Sequence, residues 1–307
     1  MLTSLLPLPR GAPSALRWIA ARVGRDAVRI LVYHGVCRDA DRDAAWVPSH
    51  YVTQSQLDAQ LGLLRRLGDL IDAHECSAGR LSTGTHVRPR FVVTFDDAPA
   101  NLHALAAPVL AAHDVSAVIF AVTDRLDDGA LLPDDLRRLY RIDSTLPFDP
   151  AVRAALRHMT WEEAIDLSHR GHWLGAHTRT HARLSACAPD KRRDEIEGSV
   201  SAIRARLRTA DVPFAFPYGQ PDDFDQTDLQ QLRSLDVPAI FTGVSGWNRP
   251  PIDPLCLRRN CVGLHHVGAR FTAEMLGLRD GRARAARQRL HAAQREYSAT
   301  PLPGVPS

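Results

Sequence analysis

Short apolar runs alternate with longer stretches of helical spacing along most of this chain. The runs predict strands at 29–36, 90–95, 117–122, 172–177, 212–216, 238–242 and 256–262. Between them, Leu57, Leu61, Leu64 and Leu67 recur at helical intervals over Gln54–Leu67, with Thr53 placed to cap the first turn. Thr160-Trp161-Glu162-Glu163 reads as a capping box opening a helix that ends near Gly171. Residues 101–112 and 225–235 are also helix-like, and 190–207 reads as a charged amphipathic helix with Pro189 near its start. The alternation predicts a largely parallel α/β protein. Residues 126–159 are less regular and are expected to form a surface excursion between core strands. From Phe271 the chain is helix-like and arginine-rich, closing in a Pro-containing tail, 300–307, that is expected to be disordered. The 307 residues, 45% of them apolar, suffice for one catalytic-sized domain, here drawn at 29–268 with extensions 1–28 and 269–307.

Lys+Arg 38 against Asp+Glu 35 is close to balance, and Lys191 is the sole lysine. The basic stretches 192–193 and 282–289 lack interleaved aromatics, so they read as solvated helix faces and no nucleic-acid partner is expected. Cys37, Cys76, Cys187, Cys256 and Cys261 are scattered, with no C-x-x-C pair, which predicts free thiols in a reducing compartment. The apolar start, residues 1–8, is interrupted by Pro7 and closed by Pro9 and Arg10, and no basic segment precedes it. Neither a cleaved signal nor a membrane-spanning helix is expected. The expectation is a soluble cytoplasmic protein, with association at a membrane surface left open and the oligomeric state unspecified.

Polar residues collect where the predicted strands end, the side on which parallel α/β proteins carry chemistry. Asp96-Asp97 closes the run Phe91–Phe95; taken alone, such a pair equally suits the cap of the following helix-like stretch. His177 and His181 stand four apart, a spacing that puts both imidazoles on one side of a helical turn, although 14 histidines make chance spacings such as His169 and His172 unsurprising. One carboxylate with two imidazoles makes a three-ligand set that leaves a divalent metal an open position for water, and the second carboxylate is then free to take a proton from that water. Two further strings end predicted strands: Phe214-Ala215-Phe216-Pro217-Tyr218-Gly219, and Ile30-Leu31-Val32-Tyr33-His34-Gly35-Val36. Singly, the first is an ordinary aromatic strand end and the second a core histidine.

In this order and company the four strings resemble the polysaccharide deacetylases of carbohydrate esterase family four, the NodB homology domain, and within it the subgroup with an early Tyr-His-x-Val motif. Gly171-His172, Gly175-Ala176-His177-Thr178, Phe241-Thr242-Gly243, Asn248-Arg249 and Leu257-Arg258-Arg259 extend the resemblance over roughly 29–264. It implies a distorted, incomplete (β/α) barrel. It also implies Asp96 as catalytic base, Asp97, His177 and His181 as metal ligands, the Tyr218 backbone N–H as oxyanion donor and His34 as catalytic acid. Pro217 and Arg259 would line the substrate. Zinc is the default metal, with cobalt or nickel equally serviceable. Two positions depart from the family pattern. Ala98-Pro99 follows the aspartates where glycine is usual, and Ala215 stands where many members carry an arginine that orients the base. Arg259, or else Arg258, is expected to supply that partner. The implied activity is metal-dependent removal of N-acetyl groups from amino sugars of a polysaccharide or lipid-linked glycan precursor. A catalytically silent glycan-binding relative, and an amidase or deformylase on a non-polymeric substrate, are the alternatives.

Overall fold

The computed structural model describes residues 12–77, 81, 85–127, 145 and 149–290. Its strands are β1 (Val28–Tyr33), β2 (Val36–Cys37), β3 (Val52–Thr53), β4 (Asp69–Leu70), β5 (Arg90–Phe95), β6 (Ala117–Ala121), β7 (Trp173–Ala176), β8 (Phe214–Ala215), β9 (Ile240–Phe241) and β10 (Arg259–Cys261). Seven of them run β10-β1-β5-β6-β7-β8-β9, every neighbouring pair parallel, while β4 pairs with the first two residues of β5. The sheet curls into a nearly closed barrel. Its seam lies between β9 and β10, crossed by the single parallel bridge Phe241–Leu257. This is the expected distorted, incomplete (β/α) barrel.

Period-two alternation sorts each strand's side chains between two cores. Val28, Ile30, Val92, Val118, Phe120, Trp173, Ala215 and Phe241 belong to one apolar cluster, the barrel interior. Leu31, Tyr33, Val93, Phe95, Ile119, Leu174, Phe214 and Ile240 belong to the other, against the helices. Thr94 and Asp96 continue the inward row of Val92. His177 likewise lies two past Gly175 on the inward row of β7. The carboxylate and imidazole thus arrive at the barrel mouth by strand parity alone.

The helices follow their caps. Thr53 Oγ1 accepts from Gln56 N, Thr160 Oγ1 from Glu163 N, and both capping boxes close. Leu57, Leu61, Leu64 and Leu67 are all buried, as their spacing requires. The stretch 101–112 differs from expectation: Leu102–Ala106 is a π-helical turn leading into Ala107–Ala112. Pro108 lacks the N–H an unbroken α-ladder would use, and a wide turn before it absorbs the gap. The predicted strand 29–36 splits, because His34 and Gly35 leave the barrel before β2 pairs with β3. A Cβ on Gly35 would stand 2.3 Å from the Tyr51 ring, so only glycine passes there. The excursion at 126–159 includes the helix Pro150–Leu156, while 128–144, 146–148 and the tail at 300–307 lie outside the described residues. No helix among the described residues is long and apolar enough to cross a membrane.

Candidate active site

Arg259 enters the barrel from β10 with its guanidinium stacked over Phe120 and Phe241, 5.2 and 5.9 Å from the ring centres. Nε donates to the Thr242 carbonyl at 3.0 Å, which orients the fork. Nη1 and Nη2 then donate to the two oxygens of Asp96 at 2.6 and 2.8 Å. The pair is buried and bidentate, the geometry in which an arginine–carboxylate contact is strongest. Burial alone would raise the Asp96 carboxyl, but the charge of Arg259 and its hydrogen bonds outweigh it and hold the group down at about 2. Arg258, the other candidate partner, points elsewhere and donates to the Trp247 carbonyl at 3.0 Å.

Beside this pair, Asp97, His177 and His181 bring their donor atoms within 4.8 Å of one another. Nε2 of His181 and of His177 lie 3.3 and 3.7 Å from Asp97 Oδ1. His177 Nδ1 lies 2.8 Å from the Ala215 carbonyl, to which it donates; Nε2 is then left with its lone pair toward the cluster. Burial keeps both imidazoles neutral by lowering their pKa values. Burial and the adjacent Asp96 charge push the Asp97 carboxyl up to about 8. Asp97 Oδ1 is buried with no hydrogen-bond partner among the described residues. An orphaned oxygen facing the Nε2 atoms of two neutral imidazoles is the environment a divalent cation satisfies, and the donor set fits one.

The imidazoles converge by a route that sequence spacing misreads. Residues 177–181 form a loop rather than a helical turn, with Thr178 and His181 both at φ 62°. Positive φ at those two positions excludes a continuous helix. The loop is held by Glu195, fully buried on the helix Pro189–Leu207. One carboxylate oxygen accepts from Arg179 N and Thr180 N, each at 2.9 Å. The other accepts from Thr180 Oγ1 at 2.7 Å and pairs with Lys191, also at 2.7 Å. Sequence reasoning missed Glu195. Its only signal was a glutamate on the same helical face as Ser199 and Ile203. Glu195→Gln is expected to weaken metal binding about 10–100-fold by loosening His181, the usual cost of losing such support. Isothermal titration of metal into the variant measures this, and unchanged affinity refutes the role.

The other predicted residues ring the same mouth. His34 follows β1 on its inward row and lies within electrostatic reach of Asp96, Arg259 and His177; burial lowers its pKa to about 4, so it is neutral in the free site. The His50 ring packs edge-on against it at 4.7 Å. Tyr218 is 45% exposed, with its ring 5.2 Å from that of His181 and the Arg183 guanidinium 4.2 Å above it. Its backbone sits at φ 61°, and its N–H has no acceptor among the described residues. Gly219 follows at φ 66°, where a Cβ would stand 2.3 Å from Gly243 N, so the turn is locked against the Phe241-Thr242-Gly243 segment. Pro217 is buried beneath this turn, and its carbonyl accepts from Gly219 N at 2.6 Å. Ala98 has φ 48°, which explains why glycine is usual there. Ala98→Gly is expected to raise stability by ~0.5–1 kcal/mol by relieving a left-handed alanine. Chemical denaturation checks this, and a destabilised variant contradicts it.

With this geometry established, a family model described as polysaccharide deacetylase matches residues 83–240, just over half of the chain. The chain belongs to the polysaccharide deacetylase family. Its members are hydrolases of carbon–nitrogen bonds. No curated protein matches this family member in sequence. Among solved structures it is similar to a Streptococcus pyogenes deacetylase, PplD, in complex with acetate, at 18% identity and TM-score 0.62 over 81% of this chain and 98% of that one. IcaB from Ammonifex degensii is similar at 17% identity and TM-score 0.58, covering 82% and 97%. A de-N-acetylase from Aggregatibacter actinomycetemcomitans is similar at 14% identity and TM-score 0.62, covering 81% and 99%. At such identities these structures establish the shared fold. In this polysaccharide deacetylase, Asp96, Asp97, His177, His181 and Tyr218 fall inside the matched segment. His34 and Arg259 fall outside it, the first just past the end of β1 and the second on β10.

Proposed function

We propose that this family member is a metal-dependent N-deacetylase acting on N-acetylated amino sugars of a polysaccharide or lipid-linked glycan precursor, within the early Tyr-His-x-Val subgroup. The observation that carries the reading is the buried Asp96–Arg259 fork standing beside the Asp97, His177 and His181 donor set. A divalent ion bound there, zinc by default, supplies Lewis-acid polarisation and an acidified water. Asp96, kept ionised and aimed by Arg259, takes a proton from the attacking water as its oxygen bonds to the acetyl carbon. The Tyr218 N–H, which has no other acceptor among the described residues, meets the negative charge that develops on the carbonyl oxygen. His34 hands a proton to the nitrogen as the C–N bond breaks. It is neutral beforehand, so the developing negative charge must raise its pKa enough for it to take up a proton from solvent, and that proton is the one it passes on.

Arg259 in the carboxylate of Asp96 supplies what Ala215 lacks, which favours turnover over saccharide binding alone. The acetate held by PplD is the product such a hydrolysis releases. The five free cysteines favour a reducing, cytoplasmic setting, and with it a glycan precursor as substrate. The test compares release of acetate from N-acetylhexosamine oligomers with turnover of N-formylated sugars and small cyclic amides, before chelation and after metal is restored. Preference for the acetylated sugars, lost on chelation and regained with metal, is the expected result. Turnover of the cyclic amides or formylated sugars alone, or binding without turnover, refutes it.

A further inference from the structure

The chain's first acidic residue is Asp26. Ahead of it stand Arg10, Arg17, Arg22 and Arg25, a charge of +4 in a chain whose total is +3. The remaining residues sum to −1, so this segment carries a local excess of positive charge with no acid among it. Much of that segment is the helix Ala12–Gly24. One face packs on the core through buried Ala20 and the partly buried Leu16, Ile19 and Val23. The opposite face presents Arg17, Trp18 and Arg22 to solvent. Trp18 is 64% exposed, whereas Trp161, Trp173 and Trp247 are all buried. The Arg22 guanidinium lies 5.7 Å above the Trp18 ring. Neither Arg17 nor Arg22 has a carboxylate partner among the described residues; Arg25 has a long contact, 3.6 Å, with Asp26.

We propose that this helix seats the protein on an anionic phospholipid surface. An indole flanked by arginines suits the headgroup layer, where the ring buries its apolar body and the guanidinium groups meet phosphates. The residues ahead of the helix agree in kind: Leu2, Leu5, Leu6 and Leu8 accompany no acid. A second copy of the chain is disfavoured as occupant, because two such faces would bring like charges together. Nucleic acid is disfavoured because a single aromatic offers no stacking run. Each arginine near an anionic leaflet contributes roughly a fivefold gain in partitioning.

The full chain is sedimented with vesicles of phosphatidylcholine alone and of phosphatidylcholine mixed with phosphatidylglycerol. Binding to the mixed vesicles only, weakened by salt, is expected. Combining Arg17→Gln with Arg22→Gln should lower it roughly 25-fold, two such steps, and Trp18→Ala should weaken it separately. All three positions are exposed, so the variants should melt with the parent. Equal binding to neutral vesicles, or unchanged binding by the variants, overturns the proposal. So does a concentration-dependent dimer that Trp18→Ala abolishes. None of these readouts depends on the deacetylase reading.

Discussion

Asp97→Ala is expected to abolish both acetate release and the thermal shift produced by added metal, while the metal-free variant melts at or above the parent. The first loss should exceed the ~10²–10⁴-fold attributable to a proton-transfer residue alone, because one ligand supports both water activation and oxyanion stabilisation. The second follows from linkage. Metal present at ~1,000 times its dissociation constant stabilises a protein by about 4 kcal/mol, and a chain without the site gains none of it. The unchanged or raised melting temperature comes from the sign of the Asp97 shift. Burial and the Asp96 charge push its folded pKa up to about 8, against an ordinary value near 3.8. A carboxyl raised in this way has its most favourable contribution below pH 4, when it is protonated in both states. Stability of the metal-free parent should then fall as pH rises from about 4 to 8, and the variant should lose that slope. Denaturant unfolding across this range, with and without zinc, measures both effects. Wild-type turnover by Asp97→Ala would remove the metal centre from the mechanism.

Arg259→Ala should be nearly as damaging, for a different reason. It leaves Asp96 buried without its cation, and breaking one side of a buried pair typically costs about 3–5 kcal/mol. The carboxyl also loses the charge that holds it at about 2, so burial should lift its pKa above the ordinary range. The acidic limb of the pH–rate profile should move upward by roughly 1–3 units, the shift such a neighbour causes. Arg259→Lys should recover only part of the activity, since an ammonium cannot reproduce the two-pronged contact. Ala215 lies in the same interior cluster, beside Phe120 and Phe241, over which the Arg259 guanidinium stacks. Ala215→Arg in the Arg259→Ala background is therefore expected to restore a measurable part of kcat from β8, across the barrel interior. Steady-state kinetics against pH distinguishes this from general destabilisation: a folded Arg259→Ala variant with an unmoved acidic limb refutes the positioning role.

Much of this protein follows from local rules acting on local residues. Alternation in Phe91–Phe95 places Asp96 inward, and the Thr53 and Thr160 caps and the leucine spacing of Gln54–Leu67 follow from bonding within a few residues. The strings around Asp96, His177 and Tyr218 marked the candidate site because each closes a strand of a parallel barrel, whose mouths face one way. Two sequence-level readings near the site differ from the folded chain. The four-residue histidine spacing suggests a helical turn, but positive φ at Thr178 and His181 makes a loop. The strand expected over 29–36 ends at Tyr33, and the chain leaves the barrel through Gly35, where the Tyr51 ring leaves no room for a side chain.

What the sequence by itself determined is the order of strands and helices, the inward and outward rows, and the residue types at the barrel mouth. Those depend on backbone periodicity and short-range hydrogen bonds, which a linear string contains. Only the tertiary structure decided that Arg259 rather than Arg258 reaches Asp96 across 163 positions, and that Glu195 anchors the histidine loop from a helix. It also decided that Asp97 Oδ1 is left unpaired against two imidazoles. Those outcomes depend on which strands become neighbours and on how deeply each charge is buried, and neither quantity exists until the barrel has closed around them.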